Sequence, residues 1–204
     1  MLAKAPRPGA VKTRLCPPRS FAEAAHLAEA SLRDTLDVAR AARFDHRVLA
    51  LEGRPGPWLP PGFTVVPQLP GDLGQRLADA FATVPLPALL IGMDTPQVTC
   101  AQLEHAWGRL GEPACDAVLG PAIDGGYWSI GLKRRVAGVF DGVPMSASTT
   151  CAAQHDRLLE LGLHVTTLEV VRDVDRYSDA VTVAREAPTT QFARAVRELA
   201  RLDA

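Results

Sequence analysis

The sequence predicts a mixed α/β protein, with one domain over residues 1–204 built as three α/β/α layers around a mostly parallel sheet. Two observations carry this prediction. Short apolar or β-branched runs bounded by Gly and Pro alternate along the chain with segments whose apolar residues recur at helical spacing. No internal repeat or linker divides the chain, because the Pro/Gly-rich stretch 53–62 has the composition of a surface loop.

The strands are predicted from short apolar runs between turn residues. Residues 88–91 read Ala-Leu-Leu-Ile, which is typical of a strand buried on both faces. Two further runs lie on either side of a tight turn around Asp124. The predicted strands are residues 1–5, 46–52, 63–66, 88–91, 117–119, 127–132 and 164–171.

The helices are predicted from apolar spacing and from their start signals. Ser20 with Glu23, and Thr99 with Gln102, have the spacing of a capping box, in which each side chain bonds the other residue's backbone N–H. The predicted helices are residues 21–42, 73–83, 99–110, 148–161, 177–186 and 190–201.

Composition narrows the classes of partner. The net charge of −1 gives no global field that would attract nucleic acid or an anionic membrane. No apolar run approaches the roughly twenty residues that cross a bilayer, and the start lacks the order of a signal peptide. The four cysteines are far apart, without the spacing of a zinc site. We therefore expect a cytoplasmic protein that binds neither nucleic acid nor membranes.

A basic loop follows the first predicted strand. The stretch AKAPRPGAVKTRL contains four cations and no acid, and Gly9 would let the backbone approach a ligand. Such a loop favours phosphate, with Lys12 and Arg14 as its main cations. The alternative is a solvated basic loop, and the spacing of a Walker A loop is absent.

Carboxylates follow two other predicted strands. Asp94 comes three residues after the strand at 88–91 and could hold Mg²⁺, although a turn would also explain it. Asp173 and Asp175 follow the last strand. Because alternate residues of an extended segment point to opposite sides, we expect only one of them to face a site. The other would cap the helix that begins near Tyr177.

Two more motifs have both a structural and a functional interpretation. Asp124 before two glycines suits a plain hairpin turn, but with Tyr127 it could also line a pocket for a sugar, base or acceptor. Gln68 could bind a base edge and Arg76 a phosphate, while Asp72 is a good helix cap.

Taken in order, the motifs AKAPRPGAVKTRL, GDLGQRLADAF, GMDTPQ, GPAIDGGYWSIGL, VPMS and RDVDRYSD resemble an uncharacterised bacterial family of glycosyltransferase-A-like proteins, over almost the whole chain. The resemblance implies the nucleotide-diphospho-sugar transferase fold (GT-A, Rossmann-like), shared with 2-phospholactate guanylyltransferase and molybdenum-cofactor guanylyltransferase. The chain departs from the pattern in having little before Ala3, so that the native start could lie upstream, and in carrying Arg176 where relatives often have Thr.

The resemblance implies a role for each motif. By analogy, Lys12 and Arg14 bind nucleotide phosphates, and Asp94 binds Mg²⁺ (or Mn²⁺) with the late acidic pair, so that the catalytic candidates are Lys12, Arg14 and Asp94. The metal candidates are Asp94, Asp173 and Asp175. The nucleotide-binding candidates are Ala3, Lys4, Pro8, Gly9, Lys12, Gln68, Gly71 and Arg76. The substrate-binding candidates are Asp124, Gly125, Gly126, Tyr127, Met145 and Ser146.

These residues predict a metal-dependent transferase that acts on an activated nucleotide. Nucleotidylyl transfer from a nucleoside triphosphate to a phosphorylated small molecule is favoured, because the grouped cations suit a triphosphate. The alternatives are sugar transfer from a nucleoside-diphosphate sugar to a small acceptor, and nucleotide binding without turnover. The expected partners are a nucleotide or nucleotide-sugar and a small-molecule acceptor, and a homodimer is left open.

Overall fold

The structure is a computed structural model that describes residues 1–202. Strands and helices alternate along most of the chain, as the sequence predicts. The strands are β1 (Leu2–Lys4), β2 (Val48–Glu52), β3 (Thr64–Pro67), β4 (Ala88–Ile91), β5 (Ala117–Pro121), β6 (Tyr127–Leu132) and β7 (Val165–Thr167). The helices are α1 (Phe21–Ala41), α2 (Leu73–Ala82), α3 (Cys100–Gly111), α4 (Thr150–Glu160), α5 (Tyr177–Glu186) and α6 (Gln191–Leu202), with a short 3₁₀ helix at Thr13–Leu15.

The strands form two hydrogen-bonded sheets. The first has the order β1-β2-β3 with all pairs parallel, and the second has the order β4-β6-β5-β7. In the second sheet β6 is antiparallel to β4 and β5, whereas β7 is parallel to β5. The backbone N–H of Lys4 lies 3.3 Å from Met93 Sδ and links the end of β1 to the chain after β4. The sheet is therefore mostly parallel, with β6 as the antiparallel insertion.

Helices cover both faces of the second sheet. On β5, Val118 packs in one buried cluster with Leu110 of α3, while Leu119 packs in another with Leu158 of α4. This alternation follows from strand geometry, because successive side chains point to opposite faces. The predicted three-layer α/β/α arrangement is confirmed. No helix among residues 1–202 is long and apolar enough to cross a membrane.

Helix α1 is buried on two sides. Its Leu32 packs against β1 and β2, and its Leu27 packs against α5 and α6. The carboxylate of Asp34 accepts the backbone N–H groups of Gln191 at 3.0 Å and Phe192 at 2.8 Å, and so caps α6. Burial raises the pKa of Asp34 and these two hydrogen bonds oppose the rise.

Several element boundaries differ from the prediction, and two of the differences have a visible cause. The strand predicted at 164–171 pairs regularly only over Val165–Thr167 and then makes a single bridge from Val171 to Ala122. The ladder is irregular there because four steps from Thr167 to Val171 face only three from Leu119 to Ala122, and Pro121 between them has no N–H to donate. Helix α4 begins at Thr150 rather than 148, because the Thr150 hydroxyl bonds the backbone of Ala147 and closes a turn first.

Candidate active site

One cavity of about 480 Å³ lies where β1, β4 and β5 end and where antiparallel β6 begins. In α/β sheets, ligands bind at this carboxyl edge. Most of the predicted site residues line it, namely Ala3, Lys4, Lys12, Arg14, Gln68, Arg76, Asp94, Asp124, Gly126, Tyr127, Met145, Ser146, Asp173 and Asp175. Pro8, Gly9, Gly71 and Gly125 are not among its lining residues.

Lys12 is the central cation of this cavity. Its Nζ lies 2.8 Å from Asp94 Oδ1, and its side chain is only 10% exposed, compared with 51% for Asp94. The same Nζ also donates to the carbonyl oxygen of Val174. The backbone of Lys12 has φ 49°, in the left-handed region that is uncommon for residues other than Gly. The basic loop therefore delivers an ammonium group directly to the carboxylate that follows β4.

The basic loop is joined to the late acidic segment at two further points. Arg14 Nη1 lies 2.9 Å from Asp175 Oδ2. Arg19 donates to the Tyr177 hydroxyl at 3.0 Å, and its guanidinium lies 4.3 Å from the centre of the Tyr177 ring. The acidic segment is itself fixed to the chain after β4, because the Val174 N–H donates to the Asp94 carbonyl at 2.9 Å. Three segments that are distant in sequence thus form one wall.

Both late carboxylates line the cavity, so the prediction that only one would face it is wrong. The alternation rule fails because residues 172–176 do not form a regular strand. The predicted capping role is also wrong. Asp179, and not Asp173 or Asp175, accepts the backbone N–H of Arg176 at 2.8 Å at the start of α5.

Asp173 lies in an environment that disfavours its charge. Burial, followed by the negative charge of Asp124, raises its pKa to about 6, although nearby Lys12 acts in the opposite direction. Among the described residues, neither Asp173 nor Asp124 has a Lys, Arg or His nitrogen within ion-pair distance. The cavity therefore carries carboxylate charge that its own cations do not neutralise.

This donor set fits a hard divalent cation. Mg²⁺ in proteins typically takes one or two carboxylates and completes its shell with water and substrate phosphates. Within residues 1–202, no group of three Asp, Glu, His or Cys side chains is close enough to form a metal cage. The structure thus offers separate carboxylates in an open cavity of about 480 Å³ rather than a closed structural site.

A second wall of the cavity is formed by Lys4 at the end of β1, Gln68 directly after β3 and Arg76 of α2. Gln68 donates its amide group to the carbonyls of Ala3 at 2.7 Å and Ala50 at 3.0 Å, which leaves its Oε1 to meet a ligand. Arg76 Nη1 lies 2.5 Å from Glu52 Oε2. Burial acts to raise the pKa of Glu52, but Arg76 and Lys4 outweigh it and hold that pKa below its usual value. These cations are partly neutralised before any ligand binds.

The Asp124 motif is both a hairpin turn and part of the cavity. Asp124 Oδ1 accepts the Gly126 N–H at 2.7 Å. Gly125 has φ +91°, and a Cβ there would lie 1.9 Å from the Ser148 carbonyl oxygen, so only glycine fits. Its own carbonyl accepts the Cys151 N–H at 2.8 Å, which fixes the turn to the start of α4. Burial raises the pKa of Tyr127.

Sequence reasoning missed the apolar side of the cavity. Leu73 and Leu77 of α2 line it together with Leu90 and Met93 around β4. In sequence they are ordinary core positions, and only the helical spacing of Leu73 and Leu77 hinted that they share a face. Glu52 was also missed, although an acid at the end of a predicted strand is a usable signal.

Several solved structures share the architecture of this chain. A candidate nucleotide-diphospho-sugar transferase from Desulfovibrio desulfuricans G20 is 27% identical, with a TM-score of 0.84 over 99% of this chain and 94% of its own. CMP:2-keto-3-deoxy-manno-octonic acid synthetase complexed with CTP is 12% identical, with a TM-score of 0.51 over 78% of this chain and 88% of its own.

Glucosyl-3-phosphoglycerate synthase from Mycobacterium tuberculosis, in complex with Mn²⁺, UDP and glucosyl-3-phosphoglycerate, is also 12% identical. Its TM-score is 0.51 over 95% of this chain and 78% of its own. The fold and the cavity together define a transferase of the nucleotide-diphospho-sugar transferase fold.

The chain belongs to the family described as "Uncharacterized protein conserved in bacteria (DUF2064)", whose model matches residues 24–147. No curated protein matches it.

Proposed function

We propose that this protein is a metal-dependent nucleotidylyltransferase that moves a nucleotidyl group from a nucleoside triphosphate to a phosphorylated small molecule. One observation carries the proposal. The cations of the basic loop and the carboxylates Asp94, Asp173 and Asp175 come from three distant segments but line a single cavity at the carboxyl edge of the sheet. Such a mixture of charges suits a polyphosphate and the divalent cation that accompanies it.

Each group has a defined task in this reaction. Lys12 and Arg14 bind phosphate oxygens and orient the α-phosphate towards the acceptor. Asp94 holds Mg²⁺ or Mn²⁺ together with Asp173 or Asp175. When bound, the cation neutralises charge on the phosphate oxygens. The wall formed by Gln68 and α2 takes the nucleoside, and the turn at Asp124 with Tyr127 takes the acceptor.

No protein nucleophile is needed. A phosphate oxygen of the acceptor attacks the α-phosphorus, forming a new P–O bond, while the bond to the β-phosphate oxygen breaks and pyrophosphate leaves. Lys12 and Arg14 stabilise the charge that develops on the departing pyrophosphate. The guanylyltransferases whose fold the sequence resemblance implies carry out this chemistry, and a solved structure of the same fold, 12% identical, is complexed with CTP.

Sugar transfer from a nucleoside-diphosphate sugar is the second candidate. Asp124, Gly126 and Tyr127 line the end of the cavity near α4, where a sugar hydroxyl could bond the carboxylate. The similar protein from Desulfovibrio desulfuricans G20 and the synthase that binds UDP also support it. Against it, Asp94 has no neighbouring Asp, whereas many sugar transferases of this fold carry an Asp-x-Asp pair at that position.

A product assay separates the two candidates. The protein is incubated with each nucleoside triphosphate plus a panel of phosphorylated acceptors, and separately with nucleotide-sugars plus the same acceptors, with Mg²⁺, Mn²⁺ or EDTA. Metal-dependent release of pyrophosphate supports nucleotidylyl transfer. Release of free nucleoside diphosphate from a sugar donor would replace it with sugar transfer. If calorimetry detects no nucleotide binding across the whole panel, both candidates are wrong.

A further inference from the structure

We infer that Lys12 occupies the place of the divalent cation at Asp94 while metal and nucleotide are absent, and that metal binding must displace it. Lys12 then has two states, one bound to Asp94 and one available to the phosphates. The inference rests on the proposed function, because it takes Asp94 as a metal ligand. It adds that the Lys12 ammonium group of the protein itself competes with the metal for Asp94.

The geometry supports an exchange of partners. Lys12 Nζ lies 2.8 Å from Asp94 Oδ1, so it occupies one of the two oxygens that a cation could ligate. The Lys12 side chain is only 10% exposed, so few water molecules can hydrogen-bond its ammonium group in place of Asp94. Its second contact, to the Val174 carbonyl, is retained if Nζ turns from Asp94 towards the cavity. The side chain therefore has an anchor around which it can move.

Arg14 and Lys4 also line the cavity, and their ion pairs can be compared with that of Lys12. Arg14 pairs with Asp175 at 2.9 Å but is 69% exposed, so water screens its pair more strongly. Lys4 pairs with Glu52 at 3.3 Å, is 50% exposed and touches none of the metal candidates. Lys4 thus carries the same charge in the same cavity without competing directly, which makes it the matched control.

The test measures the affinity of Mn²⁺ alone, without nucleotide, by electron paramagnetic resonance of free Mn²⁺. The proteins are wild type, Lys12→Met, Lys4→Met and Arg14→Gln. We expect Lys12→Met to bind Mn²⁺ at least about fivefold more tightly than wild type, as for a typical coupling between two sites. Lys4→Met should change the affinity less than about twofold, because its half-exposed ammonium group pairs with Glu52 and contacts none of the metal candidates. Arg14→Gln should fall between them.

The outcomes separate this inference from the proposed function. If Lys12→Met binds Mn²⁺ no more tightly than Lys4→Met, Lys12 does not compete with the metal and the inference is wrong, while the metal site stands. If no variant binds Mn²⁺, the metal assignment itself is wrong. Adding Asp94→Asn to Lys12→Met should abolish the gain. Should Lys12→Met unfold, Lys12→Gln is used instead, because its side chain still carries an N–H donor while the positive charge is removed.

A second measurement confirms the other half of the exchange. Inorganic triphosphate is titrated into metal-free wild type and into Lys12→Met. If Lys12 becomes a phosphate ligand, the variant binds triphosphate at least about fivefold more weakly, opposite to its gain for Mn²⁺. Equal triphosphate affinity would show that Lys12 serves only Asp94, and the two-state inference would be rejected.

Discussion

Replacing Asp94 by Asn should abolish turnover and leave the fold intact. The structure allows the two effects to be separated. The Asp94 carboxylate makes one ion pair, with Lys12 at 2.8 Å, and is itself 51% exposed. Lys12 is largely enclosed, but the Asn side chain of the variant would still offer its Nζ an oxygen acceptor beside the Val174 carbonyl, so losing only the carboxylate charge should cost about 1 kcal/mol. The contact that fixes the acidic segment uses the backbone carbonyl of Asp94, which the substitution does not change.

The expected loss of activity is much larger than the loss of stability. Removing a group that holds transition-state charge typically costs on the order of a hundredfold in rate or more. A loss of about 1 kcal/mol in a chain of 204 residues lowers Tm by only about 2–4 °C. Pyrophosphate release at saturating metal, together with calorimetric Tm, measures both quantities on the same sample.

Asp156→Asn is the matched control, because Asp156 lies on α4 with its side chain 75% exposed and does not line the cavity. It should retain full activity. If Asp94→Asn keeps more than about a tenth of wild-type turnover, Asp94 is not a metal ligand in the reaction. A fall in Tm well beyond 4 °C would instead show that the ion pair is structural.

Two further predictions concern the walls of the cavity. Gly125→Ala should destabilise the fold by roughly 3 kcal/mol and lower Tm by about 6–12 °C, because the new Cβ would overlap the Ser148 carbonyl. Gly162→Ala is the control, because Gly162 also has a positive φ but no atom near its Cβ position, and its Tm should fall far less. Equal falls in Tm for the two variants would show that the overlap with Ser148 is not the cause. Without metal, Asp173→Asn should raise Tm by about 2–4 °C at pH 8. Its raised pKa of about 6 means that ionised Asp173 destabilises the folded state at this pH, and the expected gain is discounted because the side chain is partly exposed. That gain should shrink at pH 4.5, where Asp173 is largely protonated in the folded state, and a gain that is constant with pH would contradict the electrostatic cause.

The parts of the structure that follow local rules could be predicted from the sequence. The boxes at Ser20 and Thr99 form as predicted, because each needs only residues three apart on one helix turn. The position of Asp94 after a buried strand was enough to assign it to the carboxyl edge, because all parallel strands end there. Strand ends therefore led to part of the cavity lining, whereas Leu73 and Leu77 of α2 were missed.

The pairing of charges across the cavity could not be predicted. Nothing local in the sequence indicates that Lys12 meets Asp94 or that Arg76 meets Glu52, because these contacts depend on how distant segments pack. The orientation of Asp173 was wrong for a related reason. The period-two rule holds only in regular strands, and a long-range hydrogen bond from Val174 to Asp94 sets the course of that segment instead.

The central claim is that metal and phosphates meet between Asp94 and the basic loop. A crystal grown with Mn²⁺ and a non-hydrolysable nucleoside triphosphate, measured at the manganese absorption edge, tests it most directly. We expect one anomalous peak within about 2.5 Å of an Asp94 carboxylate oxygen, with phosphate oxygens within hydrogen-bond distance of Lys12 or Arg14. Manganese bound away from Asp94, or phosphates outside the cavity, would contradict it.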